Sequence, residues 1–132
     1  MLLEVEPQQE ISSVLADLDH AITLSTPSSS PADSVSASVS PFQAKLLADS
    51  HTHRAYILLK TSRVLKSGSA DDSAHVPDKL KEIGPDTLEE MASRDFYLGG
   101  RYGNSVARQM AVQTNPYAKM CGAIVKEAMR DI

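Results

Sequence analysis

Residues 41–66, PFQAKLLADSHTHRAYILLKTSRVLK, decide the fold class, because no Gly interrupts them and no Pro follows the first position. A helix of about 3.6 residues per turn returns side chains to one side at steps of three, four and seven. Phe42, Leu46, His53, Ile57 and Val64 make one such row, and Leu47, Arg54, Leu58 and Leu65 make the next. Two adjoining rows form a face wide enough for more than one partner helix. Ser40 stands where an N-cap belongs, and Pro41 suits the first helical position. Lys60, Arg63 and Lys66 crowd the far end, where the negative pole of the helix dipole favours cations, and Ser67-Gly68 stops the helix. These three cations share a face, most simply a solvated one.

Downstream, SADDSAHVP reads as a polar loop, and residues 78–83 as a single helical turn. Gly84-Pro85-Asp86 is the strongest boundary in the chain, since Pro85 can only open a helix and Asp86, Glu89 and Glu90 place negative charge near its start. Leu88, Met91, Ala92 and Phe96 form the inward row, and Gly99-Gly100 is expected to end it. A further helix, beginning at about Arg101 or Asn104 and ending at Thr114, aligns Tyr102, Val106, Met110 and Gln113. Asn115-Pro116 closes it and opens the last, with Tyr117, Met120, Cys121, Ile124, Val125 and Ala128 inside. No stretch alternates with period two long enough for a strand. The expected fold is all-α: a small bundle of about four helices in residues 41–132.

Upstream, residues 7–24 carry Ile11, Val14, Leu15, Leu18 and Ile22 in one stripe, with Ser12, Ser13, Asp17, Asp19 and His20 opposite. Pro7 and Glu10 fit the start of that helix. Such a stripe must bury against something, either this chain's own body or another molecule. Residues 25–40 differ in kind: eight of these sixteen positions are Ser. Too little apolar area is present to offset the entropy of ordering them, so they read as a flexible linker. Three regions follow: an N-terminal segment at 1–24, the linker at 25–40 and a helical domain at 41–132. Ser30-Pro31 and Ser40-Pro41 are formal phosphorylation sites, though a plain spacer is the simpler reading.

Composition narrows the function. At 132 residues with 5% aromatic content and no Trp, the core must be aliphatic. The net charge of −4 runs against nucleic-acid binding, which needs a basic surface to replace phosphate counterions. The single cysteine, Cys121, admits no intrachain disulfide or cysteine cluster, and its apolar neighbours suit a buried thiol. The longest apolar run, Ala55 to Leu59, is far short of the ~20 residues that cross a bilayer. MLLEVEPQQE has no basic residue and so does not match a secretory or mitochondrial leader. The expectation is a cytoplasmic protein with no membrane span; export by a route without a cleaved signal stays open.

Chemistry-bearing motifs are few. Gly99, Gly100 and Gly103 in LGGRYGNS follow a helix and lack the spacing of phosphate loops, so they read as a tight interhelical turn with close backbones. Arg101 and Tyr102 at its tip are candidate recognition residues. His51 and His53 lie about 200° apart on a helix and cannot share a metal ion; His53, on the apolar row, is the candidate for a pH-sensitive packing role. His20 and His75 lie elsewhere. Asp71-Asp72 and Glu89-Glu90 form no catalytic pair, and no nucleophile and base pair by local motif. No catalytic, metal-binding or cofactor-binding residue is assigned. Met91, Met110, Met120 and Met129 serve as core filling or as an adaptable surface.

These features describe a non-enzymatic protein–protein interaction module acting through helical surfaces. Its partner would be another protein or copies of itself, with no nucleic acid expected. Ile11, Val14, Leu15, Leu18 and Ile22 would be the anchor row, with Arg101 and Tyr102 a second contact. The alternative is a structural subunit of a larger helical assembly. Residues 86–132, a helical hairpin ending in AIVKEAMRDI after a polar N-terminal region, loosely resemble the small rod or needle subunits of bacterial secretion machines. That resemblance implies self-assembly through helix packing.

Overall fold

Helical periodicity dominates the structure, a computed structural model that describes residues 7–26, 39–115 and 124–130. The chain is all-α. Helix α1 spans Pro7–Ser25, α2 Pro41–Ser67, α3 Ala70–Ser73, α4 Asp78–Ile83, α5 Pro85–Arg101 and α6 Ser105–Thr114. Residues 124–130 are also helical, but Ile124, Val125 and Ala128, expected inside, are exposed there. Residues 27–38, most of the expected linker, lie outside the described residues, as do Tyr117, Met120 and Cys121.

The start of α2 is fixed reciprocally. Gln43 N donates to Ser40 Oγ at 3.2 Å while Ser40 N donates to Gln43 Oε1 at 3.1 Å, satisfying two amides that the helix cannot pair itself. Gly68 ends it in the left-handed conformation at φ 71°, as expected for a C-terminal glycine. The presumed polar loop that follows is instead partly ordered. Ser69 caps the single turn of α3, and beyond it Val76 is buried in the core cluster and Pro77 is buried beside it. A short segment holding one buried Val has no periodicity to read, so composition alone mislabelled it.

The core lies between α2 and α5, which run antiparallel. Ala55, Leu58 and Leu59 of α2 meet Leu88, Ala92 and Phe96 of α5, with Val76, Leu80 and Ala107 closing the cluster. Phe96 is fully buried and meets the edge of Tyr56 at a centroid distance of 5.0 Å. Burying one such ring contributes about 1.5–3 kcal/mol, and the edge-to-face pair about 0.5–1.5 kcal/mol more. The inward rows match the expected ones in part: Leu47 and Leu58 of α2 and Leu88, Ala92 and Phe96 of α5 are buried as expected, but other members are not. On α2, Phe42, Leu46 and His53 are exposed, and the buried track is Leu47, His51, Ala55, Leu58 and Ser62. On α6, Val106 and Gln113 face outward while Ala107 and Thr114 are buried. Met91 is also outside the core, 39% exposed.

The cause is small residues. Gly99-Gly100 does not end α5 but sits buried within its last turn. A Cβ on Gly99 would press on Thr52 Oγ1 and lie 3.2 Å from the Ala48 carbonyl oxygen; one on Gly100 would lie 2.9 Å from Arg108 Cα. The glycines therefore let α2 and α6 approach α5 closely, and the track facing them is built of Ala, Ser and Thr rather than bulky apolar residues. The turn itself is Tyr102–Asn104, with Asn104 Oδ1 accepting from Ala107 N at 2.9 Å to cap α6. Among the described residues no helix is long and apolar enough to cross a membrane.

Candidate interaction surfaces and the polar clamp

Asp95 occupies a position on α5 where the inward row calls for an apolar residue, and it is 3% exposed. A buried carboxylate survives only if it is paired and hydrogen-bonded. Arg54 of α2 does this in bidentate fashion, Nε to Oδ2 and Nη2 to Oδ1, both at 2.7 Å. His51 Nδ1 lies 3.1 Å from Asp95 Oδ1, and Tyr102 stacks on the His51 ring at a centroid distance of 6.1 Å. The remaining arm of Arg54, Nη1, donates to Asp19 Oδ1 of α1 at 2.7 Å. One guanidinium thus ties three helices together. Burial alone would push the Asp95 carboxyl up, but its bonds to Arg54 and His51 outweigh that and hold it below the usual carboxylate range. Arg54 is correspondingly raised, chiefly by its bond to Asp95.

His51 and Asp95 have the look of a catalytic pair, yet the carboxylate's bonds to Arg54 and His51 all serve the clamp. His51 is 5% and Asp95 3% exposed, so the pair is buried between α2 and α5. Among the described residues, no group of three or more His, Cys, Asp or Glu is placed to hold a metal ion.

The anchor-row residues sit against the chain's own body. Helix α1 lies antiparallel along α2, with Ile11 and Leu15 packed on the core and Gln8 Nε2 donating to the Ala74 carbonyl at 2.6 Å. Leu18 and Ile22 are half-buried and Val14 is exposed. The two turn residues part company. Tyr102 turns inward onto His51, whereas Arg101 faces solvent and edges an open groove. Of the three cations near the end of α2, Lys66 pairs with Glu89 and Asp86, which raises its pKa, principally through Glu89.

That open groove runs between the outer faces of α5 and α6, with a volume of about 740 Å³. Arg94 and Arg101 of α5 and Arg108 of α6 line it with Tyr97, Ala111 and Val112, and Glu90 is the one acidic residue among them. Tyr97 and Val112 are 60% and 67% exposed, large apolar surfaces for a small protein to leave in water. Arg108 Nη2 donates to the Gly100 carbonyl at 3.1 Å, while Arg94 and Arg101 make no ion pair among the described residues. Sequence reasoning named only Arg101. The readable signal was Arg94, Tyr97 and Arg101 at steps of three and four on one face of α5.

No family model matches the chain, and no solved structure matches it. The chain is similar to the L-tyrosine degradation gene cluster protein hmgX of Aspergillus fumigatus, 61% identical over 122 residues. The match takes in 92% of this chain and 46% of that protein, so the chain spans a little under half the length of the curated relative it matches.

Proposed function

We propose that this chain is a non-enzymatic helical module that binds another protein, and that the α5–α6 groove receives an acidic, amphipathic segment of it. The observation that carries this reading is the pairing of uncommitted cations with exposed apolar surface. Arg94 and Arg101 flank Tyr97, and Val112 faces them from α6. Tyr and Arg are the residue types that concentrate binding energy at interfaces. The whole chain is acidic, at −4, so a local arginine trough is a selective feature rather than a by-product of general basicity. The burial of His51 and Asp95 in the clamp supports a non-enzymatic role. Similarity to a protein named for an L-tyrosine degradation gene cluster supports a role in L-tyrosine breakdown and directs the search for the partner there.

Affinity capture from the source organism, with wild type beside an Arg101→Glu/Arg108→Glu variant, tests the reading. A protein retained by wild type and lost by a folded variant is expected; identical recovery contradicts the groove. Sedimentation of the isolated chain separates this reading from the structural-subunit alternative. A stable monomer at high concentration supports the module, and concentration-driven polymers support the subunit.

A further inference from the structure

A second cavity, which shares only Arg94 with the α5–α6 groove, lies beneath α1. The helix is held along α2 by the Arg54–Asp19 ion pair and by Ile11 and Leu15, but toward α4 and α5 it stands off. The gap is a cleft of about 600 Å³. That is within the roughly 300–1,000 Å³ range of small-molecule sites, which pair apolar walls with a few polar groups. Leu15, Ile22, Leu58, Leu80, Ile83 and Met91 supply the walls. Two acidic and three basic side chains also line it. Asp19 and Asp95 share Arg54, which balances one of their two negative charges. Lys79 and Arg94 remain, and neither makes an ion pair among the described residues. Three cations against two carboxylates leave the cleft with one net positive charge.

We propose that this cleft binds a small organic acid with an apolar body and one carboxylate. The body lies between Leu58, Leu80, Ile83 and Met91, and the carboxylate pairs with the cations at the edge. A polypeptide does not fit as well, because α1 and the α4–α5 layer bound the cleft on opposite sides. The bound acid bridges α1 to α4 and α5, so it also tightens the docking of the first helix. Arg94 edges both sites, but Lys79 and the apolar walls belong to this cleft alone, so the inference stands apart from the partner-binding reading.

Calorimetric titration of the full chain with 4-phenylbutyrate, and with its neutral amide as control, tests it. Saturable binding of the acid, a raised Tm and far weaker binding of the amide are expected. Lys79→Gln should weaken the acid at least about tenfold, the loss of one charge-assisted contact. Arg101→Gln, which alters only the α5–α6 groove, should leave binding unchanged. Ala16→Trp, which fills the cleft, should abolish it. Lys79 is exposed, so its replacement leaves the fold intact. Equal binding of acid and amide, indifference to Lys79→Gln, loss through Arg101→Gln, or no saturation at millimolar acid would each overturn the assignment.

Discussion

Helix α5 presents two faces that share a backbone and almost nothing else. Inward it shows Leu88, Ala92, Asp95, Phe96 and Gly99, all buried. Outward it shows Arg94, Tyr97 and Arg101, all exposed. The inner face is specified by volume and pairing: a full ring, a carboxylate whose partners are supplied by α2, and a glycine where a methyl has no room. The outer face carries charge and aromatic surface that the fold does not use. Stability is concentrated on one side, and the proposed recognition surface lies on the other.

Substitutions can sharpen or break that contrast. Phe96→Ala should be the most damaging, costing about 3–5 kcal/mol through lost transfer energy and the cavity left behind, read by urea denaturation. Asp95→Asn should cost about 3 kcal/mol, since it removes the bidentate carboxylate and leaves the partly buried Arg54 guanidinium with Asp19 alone. It should also change the response to acid. Folding lowers the Asp95 pKa, so its stabilisation is complete above the unfolded value of about 3.9 and is lost as pH falls through the folded one. Wild type should therefore lose stability steeply below about pH 4, and Asp95→Asn should flatten that loss. Gly99→Ala should cost about 1–3 kcal/mol, because its methyl meets Thr52, the Ala48 carbonyl and Ala107 at once. Arg101→Glu should shift stability by less than about 0.5 kcal/mol while abolishing partner capture. If it unfolded the chain instead, the division between faces would fail.

Much of this was legible in the residue order. The capped long helix, the Pro85 boundary and the all-α class follow from Ser40-Pro41, Gly84-Pro85 and helical periodicity. Which face turns inward was less readable. Periodicity weights bulky apolar residues, but the tightest contact here is made by Gly99, Gly100, Ala48 and Thr52. Phe42 and Leu46 were consequently placed inside and prove to be outside, and His51 rather than His53 is the buried histidine. The clamp left a trace, since Arg54 fell on an apolar row and Asp95 beside Phe96. A charge at a core position demands a counter-charge, but sequence spacing could not show that residues 41 apart supply it.

Site-specific photo-crosslinking in the source organism tests the central claim most directly, with benzoylphenylalanine placed at position 97 on the outer face and at position 60 on exposed α2. The account predicts a discrete adduct to a different protein at 97 and none at 60. No adduct at 97, or the same products from both positions, would contradict it.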